Sequence, residues 1–269
     1  MESVKANTDP WQTLNSELDA WTDSGKVADL WWRDDDAVTT GSKLDKLIAV
    51  TETTGLLLAV IPAPAEAALA DAVNAVSHVK AAQHGYAHIN YAERGKGHGA
   101  WELGLHRGEQ SVLDELELGR SRLEMLFEDN FVPVIVPPWN NMDPALLAPV
   151  EARGYSGVSR FGPRDPGMHS GSFAVVNSHC DPIRWKTGAE FKGEVKTINQ
   201  LVEHLHARRS GIVDATEPTG YLTHHIVMSD DSWAFSEQLV QHINNHPSAC
   251  WCRDVAALFS AGSTGSAGA

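Results

Sequence analysis

Six consecutive apolar residues, Leu56-Leu57-Leu58-Ala59-Val60-Ile61, stop at Pro62, and no other feature constrains the fold of this chain as much. The run is too short for a core helix and shows no alternation. It therefore predicts a strand covered on both faces, as in a parallel sheet. Further strand-like runs lie at Val27–Trp32, Val76–Gln83, Val132–Val136, Gly157–Phe161, Ser172–Asn177 and Gly220–Thr223. Helical patterns separate them: 42–54, with Ser42 as N-cap and Gly55 at the end, Pro64 to Val73, Arg107–Glu128, Pro144–Ala152, Val195–Arg209 and Asp231–Asn244. Residues 10–24 carry Trp11, Leu14, Leu18 and Trp21 at helical spacing, an amphipathic cap ahead of the first strand. Alternating strands and helices, about seven units of them, imply parallel strands joined by crossover helices. No glycine-rich dinucleotide fingerprint is present, which favours an α/β barrel over a doubly wound sheet.

The length suits one such barrel, with residues 1–259 as a single domain and 260–269, all Gly, Ala, Ser and Thr, as a disordered tail. Lys and Arg number 21 against 35 Asp and Glu, a formal charge of −14. Such a surface repels nucleic acid and anionic lipid, so neither is an expected partner. Met1 to Asn7 leads into no apolar h-region, and no run has the length of a membrane-spanning helix. Cys180, Cys250 and Cys252 form no framework of pairs. Free thiols in a cytoplasmic protein are the expectation.

In parallel barrels the chemistry sits where strands end and loops begin. Three polar clusters fall there: Asp34-Asp35-Asp36, His84-Gly85-Tyr86-Ala87-His88 and Leu222-Thr223-His224-His225. Adjacent carboxylates repel one another, and a strand end tolerates them where they bind something positive; otherwise they make a solvated acidic turn. His84 and His88 are spaced to reach one ion, and an Asp with two His is an ordinary zinc ligand set that leaves a position open for water. A glycine-rich polar loop at 90–104 is long enough to be functional.

Taken in order, these motifs resemble the polysaccharide deacetylase family, carbohydrate esterase family 4, over about residues 27–245. The resemblance implies an incomplete (β/α)7 barrel and a divalent metal, most simply zinc. It also implies Asp35 as catalytic base, Asp36, His84 and His88 as metal ligands, and His224 as general acid. Asp34 with Asp35 is the other register of the acidic pair, and Gly85 stands where the family has a hydroxyl residue. Pro138 and Trp139 of Val136-Pro137-Pro138-Trp139 and Arg184 and Trp185 of Asp181-Pro182-Ile183-Arg184-Trp185 are the implied substrate-binding residues. Two departures stand out: Val136 replaces the family's arginine, and Arg184 replaces the aspartate that supports the acid. Arg184 or Arg33 is then expected to supply the missing cation, and Asp181, Asp230 or Asp231 the carboxylate for His224. His225 is expected to be structural; Trp101, Trp139 and Trp185 are candidates to stack on a sugar ring, although tryptophans fill cores more often than they line subsites.

The implied activity is removal of an acyl group, acetyl first, from an N-acylated sugar precursor or short oligosaccharide. The rivals are hydrolysis of another non-peptide C–N bond in a small amide, and a glycan-binding protein that has lost turnover. A symmetric homodimer is common among enzymes of this kind; the residues themselves indicate none.

Overall fold

The alternation of faces along the first strand sets the architecture. β1 (Ala28–Ala37) turns Leu30 and Trp32 toward the helices, where they meet Leu56, Leu58 and Val60 of β2 (Leu56–Val60) and Val79 and Ala81 of β3 (Val79–His84). Trp31 turns the other way and joins Leu57, Ala59, Ala82, Val134 and Val136 inside the curl of the sheet. This period-two division places apolar side chains on both faces, as expected for a sheet buried on both sides. Trp31 and Trp32 are both fully buried, because helices cover the outer face. The computed structural model describes residues 9–260 except 93, 94, 96, 98, 166–172 and 187. The start of the chain, His98, Ser172 and the tail from 261 lie outside them.

The strands are parallel and run in the spatial order β1, β2, β3, β4 (Phe131–Val136), β5 (Gly157–Val158) and β6 (Ala174–Val175). On the other side of β1 lies β9 (Thr219–Thr223), in register from Leu30 opposite Thr219 to Asp34 opposite Thr223. The curl nearly closes where the chain after β6 reaches β9: Leu222 N donates to Cys180 O at 2.7 Å and Cys180 N to Gly220 O at 3.1 Å. Gly220 permits that approach, since a Cβ there would lie 2.5 Å from Asn177 O. Seven parallel strands wrapped in this way form the incomplete (β/α)7 barrel. Two elements were not expected. β10 (Ala249–Trp251) adds an eighth parallel strand on the N-terminal half of β1, and an antiparallel pair, β7 (Ile183–Arg184) with β8 (Glu190–Phe191), sits after β6.

The crossover helices follow the apolar periodicity. They are α2 (Ser42–Val50), α3 (Ala67–Asn74), α4 (Glu109–Phe127), α5 (Leu147–Ala152), α6 (Glu194–Arg209) and α7 (Asp230–Asn245). Gly41, not Ser42, caps α2, and that helix ends at Val50, earlier than expected, before a turn that closes at Gly55. α1 (Pro10–Asp23) forms the cap, burying Leu14, Leu18 and Trp21 with Leu201 and Leu205 of α6; Arg209 Nε and Nη2 grip Glu17 at 2.8 and 3.0 Å. Each such leucine contributes about 1.5–3 kcal/mol by leaving water. Among the described residues no helix is long and apolar enough to cross a membrane.

Candidate metal centre

β1 does not stop before the acidic triplet but runs through it, and the strand geometry sends the three carboxylates to three places. Asp35 lies two residues on from Arg33 and four from Trp31, so it faces the interior of the curl. Asp34 faces the other way. Its Oδ2 accepts from Thr223 Oγ1 at 2.6 Å and from His225 N at 2.8 Å, and its Oδ1 meets His225 Nδ1 at 2.5 Å. Trp32 Nε1 completes the chain by donating to Thr223 Oγ1 at 2.8 Å. This buried clamp fixes the end of β9 that carries His224, the structural role expected for His225. Asp36 leaves the alternation altogether: its φ of 71° is left-handed, and the β1–β2 register shifts between Asp34 and Ala37.

That twist brings Asp36 Oδ1 to 3.1 Å from His84 Nε2 and 3.3 Å from His88 Nε2. Around a tetrahedral zinc with bonds of about 2.0–2.1 Å, donor atoms sit roughly 3.3 Å apart. His84 Nδ1 lies 2.9 Å from Val136 O, so its proton goes to that carbonyl and Nε2 is left as the ligand atom. Burial alone would raise the Asp36 carboxyl, but the His84 hydrogen bond and the positive ends of His84, His224 and His88 hold it well below the usual range. Burial opposes protonation of His84 as well, yet Asp36 and Asp35 draw it upward. Burial and the neighbouring His84 push His88 down. An anionic carboxylate with two converging imidazole nitrogens fits a divalent cation.

A second buried cluster of ligand type, His179, His204 and Glu217, does not fit one. His179 Nδ1 accepts from Gly220 N at 2.9 Å, and burial, with Arg208, Arg33 and Arg164 nearby, pushes its pKa down to about 3. A neutral imidazole that accepts at Nδ1 keeps its proton on Nε2, which then cannot ligate. The rings of His179 and His204 also lie parallel, centroids 3.3 Å apart, so their nitrogens do not converge on a point. Glu217 accepts from Arg164 N and Asn177 N, and burial pushes its carboxyl up to about 7. A pKa raised in the folded state stabilises below the unfolded value and loses that contribution as pH rises through the folded one. The stability of the wild type relative to Glu217→Gln is therefore expected to fall between pH 5 and pH 8. Chemical denaturation of both at several pH values checks this, and a constant difference refutes it.

Above Asp36, His84 and His88 opens a cavity of 480 Å³, which those three line together with Asp35, Trp139, Asn140, Phe161, Asp181, Trp185, Leu222 and His224. Of the five non-glycine residues with positive φ among the described residues, four (Asp36, His88, Trp139 and Asn140) line it. Such strain collects at functional sites, where surrounding structure over-determines it. Arg33 is completely buried and supplies the cation expected near the carboxylates. Its Nε and Nη2 reach Asp35 Oδ1 and Oδ2 at 2.9 and 3.0 Å, its Nη1 reaches Ser159 Oγ at 2.8 Å, and its Nη2 reaches Asn140 Oδ1 at 2.6 Å. Arg184 does not: it is half exposed on β7, pairs with Glu190 and does not line the cavity. The β7–β8 hairpin turns Arg184, expected to bind substrate, outward from the cavity. Pro138 also stays out of the cavity, buried under Gly85, whose missing side chain would meet its ring. Val136 contributes only its carbonyl.

His224 sits at the cavity wall with its Nδ1 buried and, among the described residues, without a hydrogen-bond partner, so none of Asp181, Asp230 and Asp231 supports that nitrogen. Instead Asp181 Oδ2 accepts from Trp185 Nε1 at 2.8 Å, and the Trp185 ring meets His224 edge-on at 4.6 Å. Arg184 points away from His224, and it is the Trp185 indole that lies against that ring. Trp139 stacks obliquely on His88 at 4.3 Å, whereas Trp101 lies against His106, away from the cavity. Phe161 and Asn140 were not singled out from the sequence, and their position near strand ends was the signal available; Leu222 entered only as part of the cluster that carries His224.

No protein-family model matches the sequence, and no curated protein matches it. Solved structures do match. A crystal structure described as a polysaccharide deacetylase from Mycobacterium smegmatis superposes with a TM-score of 0.59 at 14% identity, covering 84% of this chain and 87% of that one. A family 4 carbohydrate esterase from Streptomyces lividans in complex with acetate gives 0.48 at 14% identity, over 88% and 96% of the two chains. A Streptococcus mutans esterase of the same family gives 0.49 at 11%, over 87% and 86%. The first of these carries the assignment of fold, and it agrees with the order of the motifs along the strand ends. The chain resembles the polysaccharide deacetylase family and has its fold, an incomplete (β/α)7 barrel.

Proposed function

We propose that this chain is a metal-dependent hydrolase that removes an acyl group, acetyl first, from an N-acylated sugar or a related small amide. The observation that supports this most is the convergence of Asp36 Oδ1, His84 Nε2 and His88 Nε2, with the His84 tautomer set by Val136 O. A bound divalent cation, zinc in the simplest case, supplies Lewis acidity that makes water a nucleophile near neutral pH and polarises the scissile carbonyl. Asp35 takes the proton of the attacking water, its carboxylate oriented by the two hydrogen bonds from Arg33. The backbone N–H of Trp139 is the donor this reading assigns to the developing oxyanion, since Pro138 has none to offer. Protonated His224 gives its proton to the leaving nitrogen, which departs as an amine because an amide anion is a very poor leaving group. Trp139, Phe161 and Trp185, each partly exposed at the cavity wall, stack against the apolar face of a sugar ring.

The unpartnered Nδ1 of His224 favours one rival, a glycan-binding protein without turnover. Acetate release separates the two. Zinc-loaded protein incubated with N-acetylated chitooligosaccharides is expected to release acetate, to stop with chelator and to resume when zinc is restored. Saturable binding with no acetate released under any metal overturns the hydrolase reading in favour of the binding protein. Release from small non-sugar amides alone moves the activity to the other C–N bonds.

A further inference from the structure

We infer that Glu102 is the positioning residue of the metal centre: its carboxylate holds the turn between the two histidine ligands, so that His88 reaches the ion. The inference rests on the metal-dependent reading above. Glu102 is completely buried. Its Oε1 accepts from Ala87 N at 2.8 Å and its Oε2 from Tyr86 N at 3.3 Å, the two successive amides between His84 and His88. Consecutive amides pointing at one anion form a concave nest, and a carboxylate fills it with both oxygens. The turn needs this restraint because both its ends are left-handed, Gly85 at φ 59° and His88 at φ 56°. For the non-glycine His88 that conformation persists only where neighbours impose it.

Gly85 and Glu102 are fitted to each other. A Cβ at residue 85 would fall 2.0 Å from Glu102 Oε2 and 2.6 Å from Pro138 Cγ. The carboxylate therefore occupies the volume that any side chain at 85 would need. Glu102 is itself anchored: Arg107 Nη1 donates to its carbonyl at 3.2 Å, and Leu103 O accepts from Asp143 N at 3.0 Å. Through Leu103, which pairs with Met142, the loop after β3 is tied to the turn that carries Trp139. Glu102 and Leu103 thus couple the His84–His88 turn to the turn that carries Trp139, a link that no spacing in the sequence shows.

Glutamine tests the idea, because it keeps the size of Glu102 while replacing one acceptor with an N–H₂ group that repels an amide donor. Groups that orient metal ligands typically contribute 10- to 100-fold in affinity. Glu102→Gln is expected to weaken zinc binding by about that factor at a temperature where both proteins are folded, measured by competition with a chromophoric chelator. In the metal-free proteins, amide exchange at Tyr86 and Ala87 is expected to accelerate while that of β2 stays unchanged. Cobalt(II) loaded into the variant should show an altered visible absorption, a change that loss of global stability alone would not produce. If Glu102→Gln binds zinc within twofold of the wild type, the inference is overturned and the metal reading survives. If the wild type itself binds no zinc, both fall together.

Discussion

Asp36→Ala is expected to lose zinc binding and at least about 10³-fold of the activity, since Lewis-acid assistance contributes several kcal/mol to such transition states. The other two ligands cannot compensate. His84 and His88 are neutral when they ligate, and Asp36 is the anion between them. Binding of an ion to the folded state alone stabilises by about 4 kcal/mol at a free concentration of 1,000 times Kd. For a chain of this size that corresponds to a rise in Tm of roughly 8–16 °C. The wild type should therefore melt lower with chelator and recover with zinc, whereas Asp36→Ala should melt at one temperature in both. Thermal denaturation with and without metal, alongside metal analysis of the dialysed proteins, checks this. A variant that keeps full activity, or a wild type indifferent to metal, removes the metal from the mechanism.

Arg33→Met is expected to have the second largest effect, on stability and activity together. It leaves the Asp35 carboxylate at 2% exposure without its cation, and breaking a buried pair from one side costs about 3–5 kcal/mol. The expected fall in Tm is roughly 6–20 °C. Arg33→Lys should not restore the wild type, because an ammonium cannot match both carboxylate oxygens in the plane. Asp35→Asn added to Arg33→Met removes the stranded charge and should recover much of the stability but none of the activity. Zinc affinity should stay within a few-fold of the wild type throughout, because Arg33 touches Asp35 and not the ligand Asp36. Equal losses in the single and double variants would show that the pair is not coupled.

Val136 supplies no cation; the buried arginine beside Asp35 is Arg33, on β1 itself. Asp35 and Arg33 lie two residues apart on one strand, facing the same side. Val136 is free to be apolar inside the curl while its carbonyl fixes the tautomer of His84. Arg184 stays out of the cavity, and Trp185, tethered to Asp181, is set against His224.

Local order was legible where it repeats. The run from Leu56 to Ile61, the alternation of strands and helices, and the placement of His84, His88 and His224 after strand ends all follow from periodicity and turn chemistry, which act over a few residues. β10 was missed because three residues at an edge carry too little pattern, and Arg184 was misplaced because the β7–β8 hairpin that turns it outward is equally short. Glu102 carried no local signal, since its partners lie fifteen and sixteen residues away.

Composition and pattern by themselves determined a parallel α/β barrel with acidic and imidazole groups at one rim. Only the tertiary structure decided which carboxylate does what. Asp34 clamps His225, Asp35 takes Arg33, and the left-handed backbone at Asp36 swings its side chain toward two imidazoles. The reason is physical: three identical residues in a row differ only in the face each presents and in the charge it meets there. Those partners come from strands brought alongside by folding.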